Sequence, residues 1–186
     1  MKKVAVFGNA GGGKSTLSLK LSELSGLPLH ILDKIQFRPG GEPVPPQDFK
    51  HAHDTILAGD RWIIDGYGSL DTLWPRLNAA DTLIYLDLPL AVHFGWVTKR
   101  LITGRFKPPH GWPENSPIWR SSLSSYRALW LCHKFLTPQY REFVTQAKRD
   151  KNVHHIRTTG EIPEFFASIQ EASRPARDIG RDARDG

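Results

Sequence analysis

Val4–Ser15 reads VAVFGNAGGGKS, an apolar run that breaks into glycines and closes on a lysine and a serine. Gly8, Gly13, Lys14 and Ser15 stand at the fixed places of the pattern G-x-x-x-x-G-K-[ST]. The spacing follows from the chemistry. A strand (Val4, Val6, Phe7) delivers the chain to a loop whose backbone N–H groups must face one anion. Glycines at 8, 11, 12 and 13 permit that curvature and let phosphate oxygens approach the backbone. The helix opened by Lys14 points its positive end at the same phosphates. This assigns Gly8, Asn9, Ala10, Gly11, Gly12, Gly13, Lys14, Ser15 and Thr16 to a nucleotide triphosphate, with the Lys14 ammonium on its β/γ oxygens. The Ser15 hydroxyl is placed to ligate Mg²⁺.

Working outward, Leu17, Leu21 and Leu24 recur at helical spacing, with Gly26 as terminator and Pro28 against continuation. Leu29–Leu32 reads as a second strand ending at Asp33. Short connections in such a β-α-β unit imply a parallel sheet and an α/β fold. Residues 34–47 hold four prolines and two glycines and read as a loop, followed by a helix from Pro46 to about Ala58. Arg61–Gly66 and Asp81–Pro89 are the third and fourth strands, the latter apolar as a strand covered on both faces should be. Leu90–Thr103 reads as a helix and 104–118 as irregular Pro/Gly-rich chain. A second helix over roughly Arg120–Lys148 places Leu123, Trp130, Leu131 and Phe135 near one face, with a break or kink at Pro138. Val153–Arg157 is a fifth strand and Ile162–Glu171 a last helix. The expectation is one domain over residues 1–172 and a disordered tail at 173–186.

Composition sets outer bounds. The chain is 39% hydrophobic and 24% charged, ordinary for a globular protein. No run of about eighteen apolar residues suggests a membrane span, and no signal-peptide pattern is read at the start. Cys132 is the single cysteine, so an internal disulfide and a thiolate zinc cluster are excluded. A reducing, cytoplasmic setting is expected, as monomer or homodimer. The net charge of +6 and pI near 9.6 call for an anionic partner, either nucleic acid or several phosphates.

Two strand ends carry carboxylates. Asp65, in WIIDGY at 62–67, is favoured over Asp87 as the residue that holds Mg²⁺, usually through water, because Gly66 permits a ligand to approach. The histidine pairs His51/His53 and His154/His155 lack the acidic or cysteine partners of a zinc site.

GNAGGGKST, LD at 32–33, WIIDGY at 62–67, ADTLIYLDLP at 80–89 and KR at 99–100 together resemble the adenylate-kinase-like P-loop kinases. More closely, the chain is similar to the bacterial FlaR-like DNA topology modulation proteins, over about residues 1–170. The resemblance implies a three-layer P-loop fold with a five-stranded parallel sheet, an acceptor-binding segment at about 34–60 and a lid at about 104–120. It implies that Asp33 faces an acceptor hydroxyl, and that Arg100 and Arg105 begin a lid that closes over the transferred phosphate. Nucleoside monophosphate kinases resemble L-D-G-[FY]-P-R at the third strand. Here Asp65-Gly66-Tyr67 match but Gly68 and Ser69 do not, so an acceptor phosphate would need Arg76. Arg38, Tyr67, Arg120 and Arg127 complete the acceptor candidates. Trp112, Trp119 and Trp130 are read as core packing and Glu42-Pro43-Val44 as a decoy motif. Arg157-Thr158-Thr159-Gly160 would meet the adenine base. The expected activity is an ATP/Mg²⁺-dependent phosphotransferase acting on a nucleotide or small-molecule acceptor. The alternative is a nucleotide-binding NTPase that acts on, or is regulated by, DNA, although no basic helix face or DNA-binding motif is present in the sequence.

Overall fold

The computed structural model describes residues 1–103 and 126–172. The elements are β1 (Lys3–Gly8), α1 (Lys14–Ser25), β2 (Leu29–Ile31), α2 (Leu32–Gln36), α3 (Pro46–Ala58), β3 (Trp62–Asp65), α4 (Leu70–Ala79), β4 (Thr82–Leu86) and α5 (Leu90–Thr103). After residue 125 the chain is helical again, passes through a π-helical turn at Cys132–Leu136, and continues as α6 (Thr137–Ala147), β5 (Asn152–Ile156) and α7 (Glu161–Ala172).

The five strands form one parallel sheet in the order β2-β3-β1-β4-β5. Strands β3 and β4 are buried throughout, and β1 from Val4 onward. This explains why their sequences run apolar without alternation. Alternate residues feed two cores, one on each face. Ala5, Phe7, Ile64, Leu83 and Tyr85 pack against Phe49 of α3, Leu73 and Leu77 of α4 and Tyr140 and Val144 of α6. Val4, Val6, Ile63, Ile84 and Leu86 pack against Leu17 and Leu21 of α1 and Phe165, Phe166 and Ile169 of α7. The result is a three-layer α/β fold with the phosphate-loop motif at the carboxyl edge of its central strand.

Three local readings need correction. Strand β2 ends at Ile31, and Leu32–Gln36, expected to be strand end and loop, is a short helix. Its buried Leu32 enters the core from the helix. Residues 70–79, read only as a connection, form α4, capped where the Ser69 N–H donates to Thr72 Oγ1 at 3.1 Å. Pro75 inside it hides it from a propensity reading. Of the apolar residues placed on one face of the helix before Pro138, Leu123 lies outside the described residues and the other three are not the buried face. Trp130, Leu131 and Phe135 are exposed, whereas Leu129, Tyr140, Val144 and Ala147 are buried. Those four keep helical spacing to one another, and the regular α ladder is interrupted just before Pro138, as the proline requires. The candidate lid at 104–120, with Trp112 and Trp119, and the tail at 173–186 lie outside the described residues.

Candidate functional site

The carboxyl ends of β1, β3 and β2 are adjacent, and each releases the chain into a polar segment. Val6 of β1 is in register with Asp65 of β3, and Asp65 with Ile31 of β2. The sheet therefore lines up three segments: the loop Asn9–Gly13, the turn Asp65–Tyr67 and the first turn of α2, which holds Asp33.

Gly13 caps α1 in the left-handed conformation, with φ of 73°. Of the loop residues, Lys14 and Ser15 are half-buried and Thr16 is exposed. The Lys14 ammonium donates to the Asn9 carbonyl at 2.7 Å, folding back across the loop that it closes. Asn9 is buried, its Oδ1 accepting from the Ala10 N–H at 2.7 Å and its Nδ2 without a partner among the described residues.

Asp65 is fully buried, and among the described residues neither carboxylate oxygen has a partner within hydrogen-bond geometry, the Ser15 hydroxyl lying near but outside it. Burial pushes its pKa up to about 6 and the neighbouring Asp33 pushes the same way. The Lys14 charge, the nearby Ser15 hydroxyl and Arg76 pull it down. A buried acid with two orphaned oxygens beside a lysine and a serine fits a divalent cation: the cation would supply the missing partners and favour the ionised form. The turn after Asp65 is tight. Gly66 has φ of 116°, and a Cβ there would sit 3.1 Å from the Leu32 Cβ and 3.8 Å from Asp33 Oδ1. Asp33 thus lies against the same turn as Asp65.

Arg76 is fully buried in α4. Its Nη2 donates to the Gly66 carbonyl at 2.8 Å and the Tyr67 carbonyl at 3.3 Å, while Nε and Nη1 are shielded and have no partner among the described residues. Burial lowers its pKa to about 10, opposed by Tyr140 and Asp65. In this state the guanidinium braces the turn behind Asp65. Tyr67 itself is exposed, as are Arg38 on the α2–α3 loop and Arg127 on the helix before Cys132. Arg100 stands on α5; its side chain, Arg105 and Arg120 lie outside the described residues.

Asp87 is held differently. Arg141 of α6 donates to it from Nε at 2.8 Å and from Nη2 at 3.0 Å, and His155 Nε2 lies 2.9 Å from its Oδ2. These groups border a cavity of about 440 Å³ between the end of β4, α6 and β5, which Pro89, His133 and Arg157 also line.

Two features of this edge were not read from the sequence. His93, Trp96 and Val97 of α5 sit against the Asn9–Gly13 loop, at the points where Cβ atoms on Gly12, Gly13 and Gly11 would fall. Their i, i+3, i+4 spacing was the available signal. Cys132, in the π-helical turn, stands close to the same loop. Burial raises its thiol pKa, while the Lys14 charge and the Ala10 amide oppose the rise.

No family model matches the chain, and no curated protein does. Among solved structures it is similar to an unliganded sugar kinase from Janibacter sp. HTCC2649. That likeness spans 93% of this chain and 92% of the other, at 15% identity and a TM-score of 0.45. It is too distant to carry a statement about chemistry, which rests on the residues above.

Proposed function

We propose that the protein is an ATP/Mg²⁺-dependent phosphotransferase of nucleotide-kinase type that acts on a hydroxyl of a nucleotide or small-molecule acceptor. The observation that carries this reading is Asp65. It is a fully buried carboxylate with neither oxygen in hydrogen-bond geometry among the described residues, in register with the strand that runs into the phosphate loop, and it has Ser15 and Asp33 for neighbours.

The roles follow from position. The amides of Asn9–Gly13 and the start of α1 bind the phosphates. Lys14 exchanges the Asn9 carbonyl for a phosphate oxygen and carries the positive charge that the transferred group needs. Ser15 and Asp65 would hold Mg²⁺, which would offset negative charge as it develops on the transferred phosphate. Asp33 orients the acceptor hydroxyl and accepts its proton. Arg76 keeps the Gly66–Tyr67 turn in place between the two carboxylates. Arg100 and Arg105 act on the phosphates, and Arg38, Tyr67, Arg120 and Arg127 on the acceptor.

The testing experiment is a phosphate-transfer screen with labelled ATP against nucleotides, sugars and small metabolites, run beside Lys14→Ala. Transfer by the wild type and none by the variant supports the proposal. A wild type that binds duplex DNA in a salt-dependent way and transfers phosphate to nothing would favour the DNA-linked NTPase instead.

A further inference from the structure

His93 is a fully buried histidine that the phosphotransferase reading leaves without a task. A Cβ on Gly12 would come within 2.8 Å of its ring Cε1 and 3.2 Å of Nδ1, so the imidazole lies directly on the phosphate loop. Nδ1 is closed off from solvent and, among the described residues, has no partner in hydrogen-bond geometry. The backbones of Ala10 in the loop and Leu88 after β4 lie near the ring and favour its charged form, as carbonyl acceptors do. The charged groups that face it among the described residues are Lys14 from α1 and Asp87 from the end of β4.

A neutral imidazole carries one N–H, so it can serve one of those carbonyls and leaves its other nitrogen an acceptor with no donor. An imidazolium carries two N–H groups and could serve both. Burial is the first cause that keeps the ring neutral, with a pKa of about 4, and the Lys14 ammonium is the second. Nucleotide phosphates would reverse the second cause. They would bring negative charge onto Lys14 and onto the loop amides, next to the ring.

We propose that His93 is a positioning residue of the phosphate loop: when nucleotide phosphates bind it takes one proton from solvent, and the imidazolium then braces the Ala10 and Leu88 carbonyls. The proposal rests on the phosphate-loop reading of Gly8–Ser15. The proton comes from water or buffer, adds to the free ring nitrogen, and leaves when the phosphates leave. Nucleotide affinity contributed by this step falls, by up to tenfold per pH unit, as pH rises from the pKa of the free protein towards that of the complex.

The test is calorimetric titration of MgADP near pH 6 in two buffers of different ionisation enthalpy, on wild type and His93→Gln. The nucleotide's own protons and those of Asp65 cancel in the comparison. The expected result is that wild type takes up more protons than the variant, by up to one per nucleotide bound. Nitrogen NMR of histidine-labelled wild type is the second readout and needs no variant. The His93 ring should pass from a neutral to a cationic signature when MgADP is added. Equal proton counts, or a ring that stays neutral in the complex, would overturn the proposal while leaving nucleotide binding standing. A well-folded wild type that binds no MgADP at any pH would overturn the phosphate-loop reading itself, and this inference with it.

Discussion

Arg141 grips Asp87 through two hydrogen bonds, Nε to Oδ2 at 2.8 Å and Nη2 to Oδ1 at 3.0 Å. With His155 on the same carboxylate, both Asp87 oxygens have protein partners, whereas buried Asp65 has none in hydrogen-bond geometry among the described residues. The two strand-end carboxylates of this edge are therefore chemically unlike, and only one has free coordination capacity.

That difference sets the first prediction. Asp65→Asn should raise the Mg²⁺ concentration needed for half-maximal activity by roughly 10–100-fold, the range seen when groups that orient a metal site are removed. Asp87→Asn should leave the Mg²⁺ requirement near wild type and instead cost about 1 kcal/mol of stability through the weakened Arg141 pair. Magnesium titrations of both variants decide it. The reverse ranking would place the metal at the fourth strand.

Asp65 also predicts a pH dependence. Its folded pKa, about 6, lies above the ordinary aspartate value of 3.8, so the folded protein holds more protons between those values. Stability of the free protein should therefore fall as pH rises from about 4 to about 6, and level off above. The ionised carboxylate costs about 3 kcal/mol at neutral pH. Asp65→Asn should recover much of that cost at pH 7 and flatten the profile, and added Mg²⁺ should stabilise wild type more than the variant. Denaturant melts at about pH 4.5 and 7.5 measure both effects.

Arg76→Ala should destabilise the protein by about 3 kcal/mol, because it removes a buried side chain and strips donors from the Gly66 and Tyr67 carbonyls. A pure substrate contact would raise the acceptor KM and leave denaturant midpoints alone. Midpoints and KM measured on the same variant separate the two.

Asp33→Asn should lower the turnover number for phosphate transfer by roughly 100-fold with little change in MgATP affinity, as expected for loss of a group that receives the acceptor proton. Single-turnover transfer and equilibrium binding, taken together, check it.

The contrast between what the sequence discloses and what it hides follows from distance along the chain. The β1–loop–α1 unit is contiguous, so its strand, glycines and lysine can be read in one pass. The parallel sheet follows from short β-α-β connections. The convergence of Asp33 and Asp65 was legible too, because Asp65 closes one strand, Asp33 closely follows another, and parallel strands share a carboxyl edge. The tie between Arg141 and Asp87 was not, since 54 residues separate them and no periodicity links them. Nor was the fit of His93, Trp96 and Val97 onto the loop glycines: their spacing shows a helix face but not what it covers. Helix α4 escaped because Pro75 masks it, and the exposed Trp130 misled because an aromatic in a helix says nothing about which face is buried.

Binding of nucleotide phosphates by Gly8–Ser15 can be examined most sharply at the Lys14 ammonium. In this structure it rests on the Asn9 carbonyl, half-buried on the loop, and it takes no part in either core cluster. Equilibrium binding of MgATP should therefore weaken by roughly 100-fold or more in Lys14→Ala, as when one partner of a buried charge pair is removed, while the denaturation midpoint stays near wild type. Wild-type MgATP affinity in a folded Lys14→Ala variant would contradict the account.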